Sequence, residues 1–267
     1  MASGALVGRA ALVTGSTRRG IGAASAMQLA LEGANVILNY GTGSTGPAAR
    51  ERAGALREKI KETGAHVEVV EADISSEDGV KKLFHQAGEL FGGVDILVNN
   101  AGGAWIEQDF AVIETAHWNQ AVRPEIDGTF FCIREALPHM RRNRWGRIIN
   151  ICLDEETLAL LVNAQYGHVL EKYPYDFGVA KFAKREIGRL VALAEYKHGI
   201  TVNNILPGII EEMENDEALR KLQGTSEPSI YFDPTDVARA VTFLCREEAR
   251  GITKSDLRIP GNIYTRL

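Results

Sequence analysis

Short, nearly continuous apolar runs alternate with helix-length stretches along this chain, and that alternation is its strongest constraint on fold. Ala10-Ala11-Leu12-Val13 opens the series, followed by strand-like runs at Asn35 to Asn39, Val67 to Glu71, Val94 to Asn99, Ile148 to Ile151 and Thr201 to Leu206. Strands without polar alternation are covered on both faces, and parallel neighbours need crossover helices to supply the cover. The expected helices include one from Ile21 to Glu32, with Ile21, Ala24, Met27 and Leu31 on one face, and a charged one from about Ala48 to Thr63. Gly41 to Pro47 reads as a turn between strand and helix. The fold class is therefore α/β, a doubly wound parallel sheet, and residues 1–267 form one domain.

Composition agrees with one soluble globular unit: 45% of residues are hydrophobic and 24% charged. The net charge of −5, with both signs interspersed, offers no positive field for nucleic acid. Three scattered cysteines, Cys132, Cys152 and Cys245, suggest neither a disulfide framework nor a zinc site. His117, His139, His168 and His198 also lack ligand spacing, so no metal is expected. With neither a basic leader nor a membrane-length apolar run, the expectation is a cytoplasmic protein without membrane contact.

The first strand runs into Thr14-Gly15-Ser16-Thr17-Arg18-Arg19-Gly20-Ile21-Gly22. Glycines there permit a tight turn and let backbone N–H groups at a helix N-terminus approach a pyrophosphate. Alone, such a turn also fits a strand-to-helix connection without ligand. Further along come Asp73-Ile74 after the third strand, Asn99-Asn100-Ala101-Gly102 after the fourth, and His198-Gly199-Ile200-Thr201-Val202-Asn203 leading to Pro207-Gly208. In order and spacing, from about residue 8 to 263, these motifs resemble the short-chain dehydrogenase/reductase family, which implies a Rossmann-type domain and a nicotinamide dinucleotide.

The resemblance places Gly15, Thr17, Gly20, Ile21 and Gly22 at the phosphates, and Asp73 with Ile74 at the adenine. It places Asn100, Ala101 and Gly102 beside the cofactor and Pro207 with Gly208 towards the nicotinamide. The glycine turn is one residue longer than the family's usual one, and Arg18 and Arg19 lie within it. A guanidinium can pair with a 2′-phosphate. The second strand ends at Asn39-Tyr40, without the acid that would bind a free ribose diol. Both features favour NADP(H) over NAD(H), although the two arginines also fit a solvated loop.

The catalytic end departs from the family. Members generally combine an Asn, a Ser that orients the substrate oxygen, a Tyr that exchanges the proton and a Lys that binds ribose and lowers the tyrosine pKa. Here Phe177-Gly178-Val179-Ala180-Lys181 supplies the lysine, with Phe177 in the tyrosine place one helical turn before it. Leu153 stands in the serine place and Glu125, after the unusual Pro124, in the asparagine place. The interval from Leu153 to Phe177 is longer than usual; Tyr166 within it is followed by Leu170, not by the required lysine.

Replacement proton donors are Tyr173 and Tyr175, just before the Lys181 helix, or the carboxylates Asp154, Glu155 and Glu156 near Glu125. Tyr175 points away from Lys181 on a regular helix, so it requires an irregular first turn. A carboxylate buried beside Glu125 would have a raised pKa suited to acid or base work, whereas one in a first helical turn would be ordinary. Cys152 reads as a small buried hydrophobe. Residues 209–232, polar and containing Gly224-Thr225-Ser226-Glu227-Pro228, suit a substrate lid.

Three functions compete. The first is an atypical NADP(H)-dependent reductase or dehydrogenase of a small carbonyl or alcohol with a non-standard proton donor. The second is a catalytically inactive dinucleotide-binding sensor or partner subunit, and the third a non-redox lyase or isomerase using the acids. The resemblance also implies a homo-oligomer, and the helix face of Ala183, Ile187, Leu190, Val191 and Ala194 would serve either a second copy or the chain's own sheet.

Overall fold

In a computed structural model, which describes residues 4–17, 20–41, 46–103, 106–153, 155–159, 173–208 and 233–259, the apolar runs form one parallel sheet. Its strands are β1 (Ala10–Val13), β2 (Asn35–Tyr40), β3 (Val67–Glu71), β4 (Ile96–Asn99), β5 (Gly146–Ile151), β6 (Ile200–Pro207) and β7 (Asp256–Ile259). They lie in the order β3-β2-β1-β4-β5-β6-β7. The winding changes direction between β1 and β4, which opens a crevice at the carboxyl ends of those strands, the usual ligand position in such sheets.

Alternate side chains of each strand feed two cores. Ala11 and Val13 join Val36, Leu38, Ile96, Val98, Ile149 and Ile151 in one layer. Leu12 joins Ile37, Leu97, Ile148 and Val202 in the other. The first layer is closed by α1 (Ile21–Leu31) and α7 (Pro234–Cys245), the second by α3 (Glu77–Phe91), α5 (Gly128–Asn143) and α6 (Tyr175–Glu195). Burying each large aliphatic side chain contributes about 1.5–3 kcal/mol, so the two layers dominate the cohesion of the fold. Two further helices among the described residues are α2 (Gly46–Lys61) and α4 (Thr115–Val122).

Two helix faces differ from expectation. In α1 the buried set is Ile21, Gly22, Ser25, Ala26, Leu29 and Ala30, while Leu31 is 52% exposed. The helix packs against both the sheet and α7, and its buried face mixes the small residues Gly22, Ser25, Ala26 and Ala30 with Ile21 and Leu29. In α6 the apolar stripe divides: Ile187 and Val191 pack on the second core layer, whereas Leu190 and Leu193 are exposed. Of the expected turn from Gly41 to Pro47, residues 42–45 lie outside the described residues and Gly46 and Pro47 already belong to α2; proline suits a first helical turn, where its missing N–H costs no helical bond.

Candidate active site

β1 leads into the glycine turn and the N-terminus of α1. Gly15 and Gly20 have φ of 62° and 123°, a region that disfavours side chains. The first turn of α1 has neither a side-chain cap nor an acid, so its N–H groups and positive dipole end are available to an anion. Asn100 fixes this turn: its Nδ2 donates to the carbonyls of Thr14 and Gly15 at 3.0 and 3.1 Å. The Thr14 hydroxyl accepts from the backbone N–H groups of Asn100 and Ala101, both at 3.1 Å. A Cβ on Gly22 would lie 2.4 Å from Asn100 Nδ2, so a side chain there would displace the tether. These residues fit a dinucleotide pyrophosphate.

Other expected cofactor residues are held at the same end of the sheet. Thr17 and Ile21 are buried in the turn and helix start; Arg18 and Arg19 lie outside the described residues. Asn39 is buried, and its Nδ2 donates to the carbonyls of Val70 and Ala72 at 3.2 and 3.1 Å, tying β2 to the end of β3. Asp73 Oδ1 accepts from the backbone N–H and hydroxyl of Ser75, and Ile74 fills the space a Cβ on Gly128 would need, 2.9 Å from its Cδ1. Pro207 closes β6, and the N–H of Gly208 donates to the Ile259 carbonyl at 2.9 Å.

Between α4 and α5 the helix widens into a π-turn over Arg123–Asp127. Pro124 lacks an N–H and its ring conflicts with the preceding helical turn, which gives the widening a cause. The turn carries Glu125 to a fully buried position. Glu125 Oε1 lies 2.8 Å from Lys181 Nζ, and Oε2 lies 2.6 Å from Lys184 Nζ. Lys181 Nζ also donates to the Ile151 carbonyl at 3.2 Å. Lys184 Nζ donates to the carbonyls of Asn99 at 3.2 Å and Ala101 at 3.0 Å. Gly102 leaves room for the carboxylate, since a Cβ there would come within 2.1 Å of Glu125 Oε1 and 3.3 Å of Lys181 Nζ.

Burial works to raise the Glu125 pKa, but Lys181 and Lys184 together outweigh it and hold the carboxyl below its ordinary value. Burial depresses Lys184; the Glu125 charge opposes that and Lys181 reinforces it. The two partners are thus pulled unequally, because one anion is shared by two cations. Glu125 is held ionised, since each of its oxygens faces an ammonium group.

Phe177 and Leu153 belong to an apolar cluster with Leu158, Tyr173 and Phe182. The Phe177 ring centroid is 5.5 Å from Lys181 Nζ, so ring and ammonium share a face as the helical spacing requires. Tyr175 begins α6, with its ring 5.1 Å from Phe110 and 5.2 Å from Tyr173. Tyr173 pairs with Gln108 in an isolated bridge, and burial followed by the Tyr175 charge raises its phenol pKa away from the neutral range.

Of the two alternatives for the acids, Glu155 and Glu156 follow the ordinary helix-turn one. Glu155 is 58% exposed in its side chain and bonded to Arg185, which lowers its pKa, and Glu156 pairs with Arg258. They lie in a helical turn at 155–159, where carboxylates are ordinary. Asp154, Tyr166, His168, Leu170 and the expected lid at 209–232 lie outside the described residues. Burial pushes the Cys152 thiol up to about 12, leaving it a core residue. Among the described residues, no group of three or more His, Cys, Asp and Glu could hold a metal ion.

The residue that sequence reasoning missed is Lys184. Its signal was present: Ala180, Lys181, Lys184, Gly188 and Ala192 follow one buried stripe of α6, and a lysine on such a stripe requires a partner.

Residues 15–261 match the family model described as Enoyl-(Acyl carrier protein) reductase. The chain is 32% identical over 262 residues to the 3-oxoacyl-[acyl-carrier-protein] reductase FabG of Staphylococcus aureus, covering 96% of this chain and 98% of the relative. It is 31% identical over 264 residues to glucose 1-dehydrogenase 2 of Bacillus subtilis, covering 97% and 95% respectively. Among solved structures, a blue fluorescent protein from a metagenomic library, in complex with NADPH, superposes with a TM-score of 0.80 at 26% identity, covering 96% of this chain and 98% of that one.

Proposed function

The chain belongs to the short-chain dehydrogenase/reductase family, and from that premise we propose an NADP(H)-dependent oxidoreductase of a small carbonyl or alcohol, with a proton donor other than the family's tyrosine. What supports this reading is the uncapped glycine turn at the α1 N-terminus together with Lys181 paired to Glu125, with Phe177 one turn before it where the resemblance expects a tyrosine. The glycine turn and α1 N-terminus would hold the pyrophosphate, Asp73 and Ile74 the adenine, and Lys181 the ribose beside the nicotinamide. The cofactor supplies the hydride when bound. Preference for NADP(H) rests on Arg18, Arg19 and the missing acid at the end of β2, and the NADPH complex of the structural relative supports it. Parallel titrations test the preference: tighter NADPH binding is expected, and equal or tighter NADH binding refutes it. NADPH oxidation across a carbonyl panel tests the activity.

A second reading, a dinucleotide-binding sensor or partner subunit without turnover, is favoured by the apolar packing of Leu153 with Phe177. NADPH binding without oxidation of any panel member, in both wild type and Phe177→Tyr, would select it. The non-redox reading loses its main support with the ionised Glu125 and the exposed Glu155 and Glu156. For assembly, the exposed Val179, Leu190 and Leu193 of α6 and Phe130 of α5 favour a homo-oligomer. Sedimentation of Leu190→Glu/Leu193→Glu against wild type tests it, and an unchanged wild-type monomer refutes it. No helix among the described residues is long and apolar enough to cross a membrane.

A further inference from the structure

A side-chain ladder crosses four neighbouring strands. Asn99, Asn150, Asn204 and Asp256 are cross-strand partners in β4, β5, β6 and β7. Asn99 Nδ2 donates to Asn150 Oδ1 at 2.9 Å, Asn150 Nδ2 to Asn204 Oδ1 at 3.0 Å, and Asn204 Nδ2 to Asp256 Oδ1 at 2.9 Å. The ladder thus fixes one oxygen of Asp256, while Oδ2 lies 3.8 Å from Arg185 Nε. The same arginine forks onto Glu155, its Nη1 and Nη2 donating to the two oxygens at 3.3 and 2.9 Å. Its Cζ is 5.8 Å from the Phe182 ring centroid. Arg185 therefore has an exposed partner in Glu155 and an anchored one in Asp256, whose side chains are 58% and 25% exposed.

Glu155 belongs to the turn 155–159, in which Thr157 and Leu158 are buried and Glu155, Glu156 and Ala159 exposed. Leu158 lies against α6 at Gly178, where an added Cβ would start 3.0 Å from Leu158 Cδ2. It packs with Leu153, Tyr173, Phe177 and Phe182, and the Phe177 ring is 5.5 Å from Lys181 Nζ. Leu158 thus covers apolar residues next to the lysine, two of which stand where the resemblance expects a serine and a tyrosine. The ion pairs Glu155–Arg185 and Glu156–Arg258 tie the turn to α6 and β7 at the surface, where salt weakens such pairs. When Glu155 lets go, Arg185 keeps Asp256 and Phe182, so its largely buried charge is not left unpaired.

We propose that the turn 155–159 is a latched cap on a subsite for an apolar group of the substrate: Glu155 and Arg185 hold it shut, Asp256 receives Arg185 on opening, and the substrate group replaces Leu158. The substrate is that of the oxidoreductase reading above, on which this inference rests. Leu158 marks the class of group. A branched alkyl or aryl substituent on the carbonyl packs on Leu153, Phe177 and Phe182 as Leu158 does, with Gly178 leaving room for it. The hydroxyls of a sugar would lose water there and find no partner on these side chains.

Two measurements that need no turnover test the cap. The Leu158 methyl groups lie among aromatic rings, so methyl relaxation-dispersion NMR reads the open population. Glu155→Gln should raise that population about two- to fivefold, the range for losing one exposed ion pair. Asp256→Asn keeps an acceptor for Asn204 but withdraws the charge that receives Arg185, so the open population should fall. A population unmoved by either variant overturns the latch. Calorimetric titration with acetophenone tests the subsite: Leu158→Ala, which removes the occupant, should bind it about tenfold more tightly than wild type, and equal affinity overturns the subsite. If Leu158→Ala does not fold, Gly178→Ala decides, because its Cβ takes the space and should weaken acetophenone binding; unchanged binding overturns the subsite. In turnover, acetophenone should exceed glucose in kcat/KM by about 100-fold. Equal turnover of the two removes the subsite and leaves the oxidoreductase reading, whereas wild type that reduces no carbonyl but shows the NMR and binding shifts loses that reading while the cap and its apolar site stand.

Discussion

Lys184→Met is the sharpest probe of the buried triad. Methionine nearly matches the volume but leaves the carbonyls of Asn99 and Ala101 without a donor and Glu125 Oε2 without its 2.6 Å partner. Breaking a buried ion pair from one side costs about 3–5 kcal/mol, and an orphaned buried acceptor about 1–3 kcal/mol. These terms overlap, and Glu125 keeps Lys181, so the expected total is roughly 4 kcal/mol, within the range for one-sided pair loss. For a chain of this size each kcal/mol moves Tm by about 2–4 °C, giving a fall of roughly 8–16 °C. Urea denaturation followed by circular dichroism, beside a thermal scan, measures it. The double variant Glu125→Met/Lys184→Met should be no less stable than Lys184→Met, because the buried carboxylate leaves with its partner; the coupling should be about 2–3 kcal/mol. A single-variant loss below about 1 kcal/mol, or additive losses in the double variant, would refute the pairing energetics.

Gly102→Ala should displace the Glu125 carboxylate, because the new Cβ starts 2.1 Å from Oε1; reduced stability together with weaker NADPH binding is expected, measured by melting and fluorescence titration. Glu125, held below its ordinary carboxyl value, releases its proton more readily in the folded chain than in the unfolded one. Its contribution is therefore complete above the ordinary carboxylate range and lost as pH falls through the lower folded value. Glu125→Gln should flatten the acid limb of the stability profile, and an unchanged limb would contradict the ionised carboxylate. The three cysteines are buried, with thiols pushed up to about 12; the native protein should not react with an aromatic disulfide reagent at neutral pH, and all three should react in denaturant.

Strand positions were readable because strands covered on both faces leave continuous apolar runs, and each expected strand lies within or close to an observed one. The buried face of α1 was not, because a helix packed between sheet and helix buries Gly22, Ser25 and Ala26, residues with weak hydrophobic signal. At the site, Lys181 and Phe177 could be placed by spacing and Glu125 by its neighbours. The use of Glu125 could not: its carboxylate state depends on Lys184, which comes from a helix distant in sequence and meets it only through the π-turn at Pro124. Tyr173 and Tyr175 were legible as phenols near the lysine, but their mutual packing is a property of the folded chain.

The triad also limits the order in which such a site can be assembled or taken apart by single substitutions. In a chain holding only Lys181, a glutamate at 125 adds one anion to one cation and is tolerable at once. Lysine at 184 arriving first would put a second, fully buried cation beside Lys181 with no anion between them. Reversal carries the same asymmetry, since Glu125 cannot leave before Lys184 without stranding two positive charges. In both directions the order that strands least charge passes through a chain with Glu125 present and Lys184 absent, although leaving the present site by that step carries the cost of losing Lys184 worked out above.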